Sequence, residues 1–199
     1  MLYSVVKIIF KIIFGILFRT EVYGKENVPK EGQLIMAANH MSNWDPPMAG
    51  TYFPRPVAYM AKEELFHPAI AGWIISQLYA FPVKRGAADR GAIKAALGIL
   101  KKGLCLGVFP EGTRSKTGKL GKPQSGVSML AGMGKAPVVP TAIIGTNRIF
   151  ANGSMFPKVK IIFGEPMVFE GKHNDKEALE AFAQKIMANI EKMIDEHSA

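Results

Sequence analysis

The chain has a single cysteine, Cys105, in 199 residues. No intrachain disulfide can form, and the cysteine count carries no sign of an oxidising compartment. The thiol lies in an apolar run from Leu104 to Phe109, where a core position is expected rather than a reactive one. Histidines are few, and no group of His, Cys, Asp and Glu has metal-ligand spacing. Neither a dinucleotide-type nor a P-loop glycine pattern occurs. No serine sits in a G-x-S-x-G elbow, so a serine acyl-enzyme has no support. Internal repeats and low-complexity tracts are absent. Acidic residues are missing before Glu21, yet the apolar stretch there falls short of the roughly 20 residues of a membrane span.

What remains is a chain with 48% hydrophobic and 10% aromatic residues, enough for one domain with a substantial core. Net charge is +9 and the pI about 9.6, which points to anionic partners: phosphate-bearing ligands, an anionic membrane surface or nucleic acid. In Met1 to Phe18 the apolar sequence is broken by Lys7 and Lys11, one helical turn apart. Ser4 and Gly15 continue that narrow stripe, and no small-x-small cleavage site follows. The pattern predicts an interfacial helix over residues 1–20 whose lysines meet anionic headgroups. The alternative is a helix packed on the domain's own core. Residues 21–199 are expected to form the domain itself.

Short apolar runs alternate with helical patterns along that domain. Strands are expected at Gln33–Ala38, Val57–Ala61, Phe81–Val83, Leu104–Phe109, Ala136–Ile144 and Val159–Phe163. Val22 to Glu31 reads as a turn-rich link. Helices are expected after Pro68, after Asp89 and from Pro123 to Met133. The chain closes with an amphipathic helix from Asp175 to Asp195, its buried face formed by Leu179, Phe182, Ile186, Ile190 and Met193. Asn174 and Glu177 have capping-box spacing. The alternation predicts a single-domain α/β fold, a mixed, mostly parallel sheet flanked by helices.

Two motifs stand where such a sheet places ligands, after apolar strands. The first is NHMSNWD, Asn39 to Asp45; the second is FPEGTRS, Phe109 to Ser115. A histidine at a strand end and an aspartate beyond a tight loop suit a general base and the carboxylate that orients it. Asp45 also precedes Pro46 and Pro47, which suits a helix N-cap. Asn39 and Ser42 are the residues expected to hold the loop. In the second motif, Glu111 offers an acceptor, Gly112 a close backbone approach, and Arg114 a planar fork for phosphate oxygens. Lys84 and Arg85 follow a strand and also suit a phosphate; a solvated loop explains them equally.

Taken together, these blocks resemble the glycerolipid acyltransferase family. Asn39, His40 and Asp45 match its N-H-x-x-x-x-D block, and Phe109 to Arg114 match its F-P-E-G-T-R block. Arg85 matches the arginine that ends the second block, and Pro140 the proline of the fourth. The resemblance covers about Tyr23 to Glu165 and includes AKEELF, Ala61 to Phe66. It implies a glycerol-3-phosphate acyltransferase-like fold, with His40 as base and Asp45 as its partner. It implies that Arg85, Glu111, Gly112, Thr113 and Arg114 bind a glycerol phosphate, and that Pro140 shapes the acyl-donor side. The donor would be acyl-CoA or acyl-carrier protein, the acceptor lysophosphatidate and the product phosphatidate. No cofactor, metal or nucleic acid is implied, and the site would face the cytoplasmic leaflet. Lys84 departs from the acidic or neutral residue often found beside Arg85. Other lysolipids or amino-acid-derived lipids are alternative acceptors. A non-catalytic basic protein binding membranes or nucleic acid is the non-enzyme alternative.

Overall fold

A computed structural model describes residues 2–83, 90–115, 117–151 and 155–198. Seven strands form one sheet: β1 (Glu21–Tyr23), β2 (Leu34–Ala38), β3 (Val57–Lys62), β4 (Phe81–Val83), β5 (Cys105–Val108), β6 (Val138–Ile144) and β7 (Lys160–Phe163). Their order is β1-β7-β6-β2-β5-β3-β4, and every neighbouring pair is parallel except β6 with β7. The helices are α1 (Leu2–Phe18), α2 (Asp45–Tyr52), α3 (Ala69–Gln77), α4 (Arg90–Lys101), α5 (Gly126–Gly134) and α6 (Lys176–His197).

Strand β2 lies at the centre and is buried on both faces, as its uninterrupted apolar sequence demands. Ile35 and Ala37 point to one side, where Leu100 of α4, Leu130 of α5 and Phe182, Ile186 and Ile190 of α6 close the core. Leu34, Met36 and Ala38 point to the other, against Met48 and Phe53 around α2 and Phe14 and Phe18 of α1. The five residues expected on the buried face of α6 are all buried. Its cap is Asp175, whose side chain accepts from the Ala178 amide at 3.1 Å, rather than Asn174 one residue earlier.

One face of the N-terminal helix packs on the domain's own core. Tyr3, Lys7, Phe10, Phe14 and Phe18 follow one stripe of α1, and Phe14 and Phe18 are buried in the core of the domain. The opposite face presents Ile8, Ile9, Ile12, Ile13 and Ile16 to solvent, with Ile16 at 72% exposure. Lys7 does not join the outward face: its ammonium donates to the Phe53 carbonyl at 2.5 Å, and burial, then Lys11, hold its pKa below the ordinary lysine value. Lys11 is exposed. No helix among the described residues is long and apolar enough to cross a membrane.

The segment expected to be only a link contains β1, which pairs in parallel with β7 through Glu21–Lys160, Val22–Ile161 and Tyr23–Ile162. Pro140 stands inside β6, where a missing N–H would normally break a ladder. Its carbonyl accepts from Gly164 at 2.8 Å, one residue past the end of β7, so the absent donor falls where that ladder stops.

Candidate active site

The loop from β2 to α2 is built around one carboxylate. Asp45 is fully buried, and its Oδ2 accepts from the amides of Met41 and Ser42, each at 2.6 Å. The same oxygen lies 2.8 Å from Nδ1 of His40. Its Oδ1 accepts from the Thr146 hydroxyl at 2.5 Å. A buried carboxylate needs this many donors to offset its lost hydration. Asp45 therefore does not cap α2. It occupies the first helical turn, Trp44 holds the cap position, and the carboxylate is turned back onto the loop.

Residues on either side fix the loop to the sheet. Asn39 is fully buried, donating through Nδ2 to the Ile143 carbonyl at 2.9 Å and accepting from the Ile143 amide at 2.7 Å. Its side chain carries the β2–β6 pairing one step past the Ala38–Thr141 pair. Asn39→Ala is expected to leave both Ile143 groups unpaired and to cost about 1–3 kcal/mol, read as a lower urea midpoint. An unchanged midpoint would mean that water substitutes for the amide. Ser42 accepts from the Trp44 amide through Oγ at 3.2 Å.

The second motif grips the first through the backbone of His40. The His40 amide donates to Glu111 Oε1 at 2.8 Å, and the His40 carbonyl accepts from the Ser115 amide at 2.8 Å. Glu111 is buried, and its Oε2 accepts from the Gly121 amide at 2.7 Å. Both carboxylate oxygens thus carry backbone donors. Gly112 has φ +69°, a left-handed conformation costly for any residue with a Cβ, and its amide closes the turn on the Phe109 carbonyl at 2.9 Å. Thr113 and Arg114 are exposed beyond that turn. Arg114 has no hydrogen-bond or ion-pair partner among the described residues.

An aromatic ladder runs across the strand ends. The His40 ring stacks on Phe109 with centroids 4.0 Å apart, and Phe109 stacks on Tyr59 at 6.2 Å. The ladder fixes the imidazole plane while Asp45 fixes its Nδ1 edge, leaving Nε2 for a ligand. His40 and Arg114 stand on the wall of a cavity of about 850 Å³ that continues past Tyr59, Met60 and Leu78 to Phe10. Tyr3 and Lys7 separate it from a second hollow of about 340 Å³. The Tyr59 hydroxyl is buried without a partner among the described residues, and burial drives its pKa well above the usual phenol value.

His40, Asp45, Asn39, Ser42, Glu111, Gly112 and Arg114 are therefore brought together. Pro140 is not: it is buried in β6 and takes no part in lining the cavity. Lys84 and Arg85, and the Asp89 cap, lie outside the described residues. Thr146 was not foreseen. It stands after β6, far along the chain, and its only sequence signal is a hydroxyl following the glycine turn at Gly145. Among the described residues no group of three His, Cys, Asp or Glu side chains is placed to hold a metal.

The family described as Acyltransferase matches residues 19–144. The 1-acyl-sn-glycerol-3-phosphate acyltransferase of Bacillus subtilis (strain 168) is 35% identical over 161 residues, 79% of this chain and 78% of that protein. The protein of the same name from Streptococcus pneumoniae is 29% identical over 189 residues, 93% of this chain and 70% of that one. The crystal structure of the 1-acyl-sn-glycerophosphate (LPA) acyltransferase PlsC from Thermotoga maritima matches with a TM-score of 0.82 at 31% identity, covering 99% of this chain and 80% of that chain.

Proposed function

The chain belongs to the acyltransferase family, and on that premise we propose that it moves a fatty acyl group from a thioester to the free hydroxyl of 1-acyl-glycerol-3-phosphate. The observation that carries this reading is His40, paired at 2.8 Å with the buried Asp45 and standing on the wall of a large, mainly apolar cavity that Arg114 also lines. Nε2 of His40 takes the proton of the acceptor hydroxyl as its oxygen attacks the thioester carbonyl. Asp45 balances the charge of the imidazolium that forms. Collapse of the tetrahedral intermediate expels the thiolate, and the proton on His40 is available to it. The cavity takes an acyl chain, and Arg114 takes the phosphate.

Direct attack, without an acyl-enzyme, fits the remaining nucleophiles. Cys105 is fully buried, and burial pushes its thiol up to about 12. The Ser115 hydroxyl donates to the Lys119 carbonyl at 2.6 Å, and Ser42 is engaged in its own loop. Acyl-CoA and acyl-carrier protein both suit the positive charge of the chain as donors. The isoleucine face of α1 supports attachment to an anionic membrane surface on the side where such donors occur, the cytoplasmic leaflet.

The test is thiol release from palmitoyl-CoA or acyl-carrier protein, with and without lysophosphatidate, on anionic vesicles. Release that requires lysophosphatidate is the expected result. Release with no acceptor would identify a hydrolase, and release only with another lysolipid would overturn the acceptor. Arg114→Ala is expected to raise the apparent KM for lysophosphatidate about tenfold or more with a smaller change in kcat. An unchanged KM would remove Arg114 from the phosphate site.

A further inference from the structure

Helix α3 carries no charge, and its two polar side chains, Ser76 and Gln77, stand at its C-terminal end. Its sequence is AIAGWIISQ, and from Leu65 through Val83 the chain contains no Asp, Glu, Lys or Arg. A helix this apolar is ordinarily buried. This one is not: Ile70 is 79% exposed and Trp73 59%, with Ile74 also exposed, and Leu65 in the turn before the helix is 54% exposed. It rests on the 3₁₀ turn Glu63–Phe66 through the bare backbone of Gly72, where an added Cβ would come within 2.4 Å of the Phe66 carbonyl oxygen. Large apolar side chains grouped on a protruding helix mark an interaction surface.

The position of that surface identifies what covers it. The Tyr79 ring, just after α3, meets the Tyr3 ring of α1 in an edge contact at 5.2 Å. The α3 face is thereby joined to α1, whose outward side carries the exposed isoleucines. The cavity runs between them, with Val6 and Phe10 of α1 on one wall and Leu65, Ile75 and Leu78 on the other. Lys62 and Arg114, both exposed, stand on the same cavity. A bilayer supplies what this arrangement lacks: a hydrocarbon phase for two uncharged helix faces and anionic headgroups for the flanking cations. An acidic protein partner would require cations on α3, and there are none.

We propose that α3, with Leu65 of the preceding turn, is a second membrane-inserting element beside α1. The proposal rests on the reading of this chain as a lipid-acylating enzyme at a membrane. Its test reads lipid contact independently of turnover. The chain has two tryptophans, Trp44 and Trp73, so comparison of the full chain with Trp73→Phe isolates the α3 signal. On phosphatidylglycerol/phosphatidylcholine vesicles with brominated acyl chains, Trp73 emission is expected to shift to the blue and to be quenched. An Ile70→Ser/Trp73→Ser chain, both changes being at exposed positions, is expected to melt as the parent does and to partition about tenfold or more weakly. Vesicle binding with Trp73 unquenched, or unchanged partitioning of the double variant, overturns the α3 proposal and leaves α1 as the anchor. Failure to bind any vesicle overturns both this proposal and the membrane reading. Concentration-dependent self-association that buries Trp73 without lipid assigns the face to a second copy of the chain instead.

Discussion

His40→Ala is expected to lower kcat by about 10²- to 10⁴-fold while leaving the fold in place. The loss is confined to chemistry because the loop is held by the His40 backbone, not its ring. The amide and carbonyl of residue 40 remain bonded to Glu111 and Ser115, and Asp45 keeps the amides of Met41 and Ser42. What disappears is a stacked, half-buried imidazole and the acceptor at its Nε2. The check is kcat beside a thermal melt, with KM for both substrates. Activity near the parent's, in a chain that melts normally, would sink the general-base role.

Asp45→Asn separates charge from geometry. The asparagine oxygen can take the place of Oδ2 toward Met41, Ser42 and His40, while its amide donates to the Thr146 oxygen in place of Oδ1. The same tautomer of His40 survives, with Nδ1–H directed at an oxygen. The counter-charge does not. The expected result is a kcat lower by about 10²-fold or more, with KM little changed. Exchange of charge-assisted for neutral hydrogen bonds costs about 1–3 kcal/mol of stability. A kcat within about twofold of the parent would show that Asp45 acts as a loop organiser alone.

The two motifs and their places were legible because local rules govern them. Apolar runs at β2 and β5 announce strands, and the polar residues that follow fall at the same edge of the sheet. The mixed, mostly parallel sheet followed from the alternation of strand and helix patterns. Non-local pairings were not legible. Strand β1 has only three residues, and it is a strand because Lys160 to Ile162 lie alongside it. Asp45 before two prolines has every sign of a cap; only the folded loop reveals that three other donors and Thr146 compete for it. Glu111 was expected to face substrate, yet its oxygens meet amides contributed by His40 and Gly121. Lys7 was assigned by its helical stripe to the polar face. The aromatic residues that draw α1 onto the domain lie on that same stripe, and they carry Lys7 inward with them.

The single sulfhydryl of β5 has a practical corollary for how turnover is followed. Thioester donors release a thiol, which chromogenic disulfide reagents count. Cys105, with no accessible surface and its ionisation near 12, gives the native enzyme no signal of its own in such a count. Any reading above the donor's own hydrolysis is product. Denatured protein adds one equivalent per chain, so the same reagent, without donor, titrates the unfolded fraction of a preparation directly.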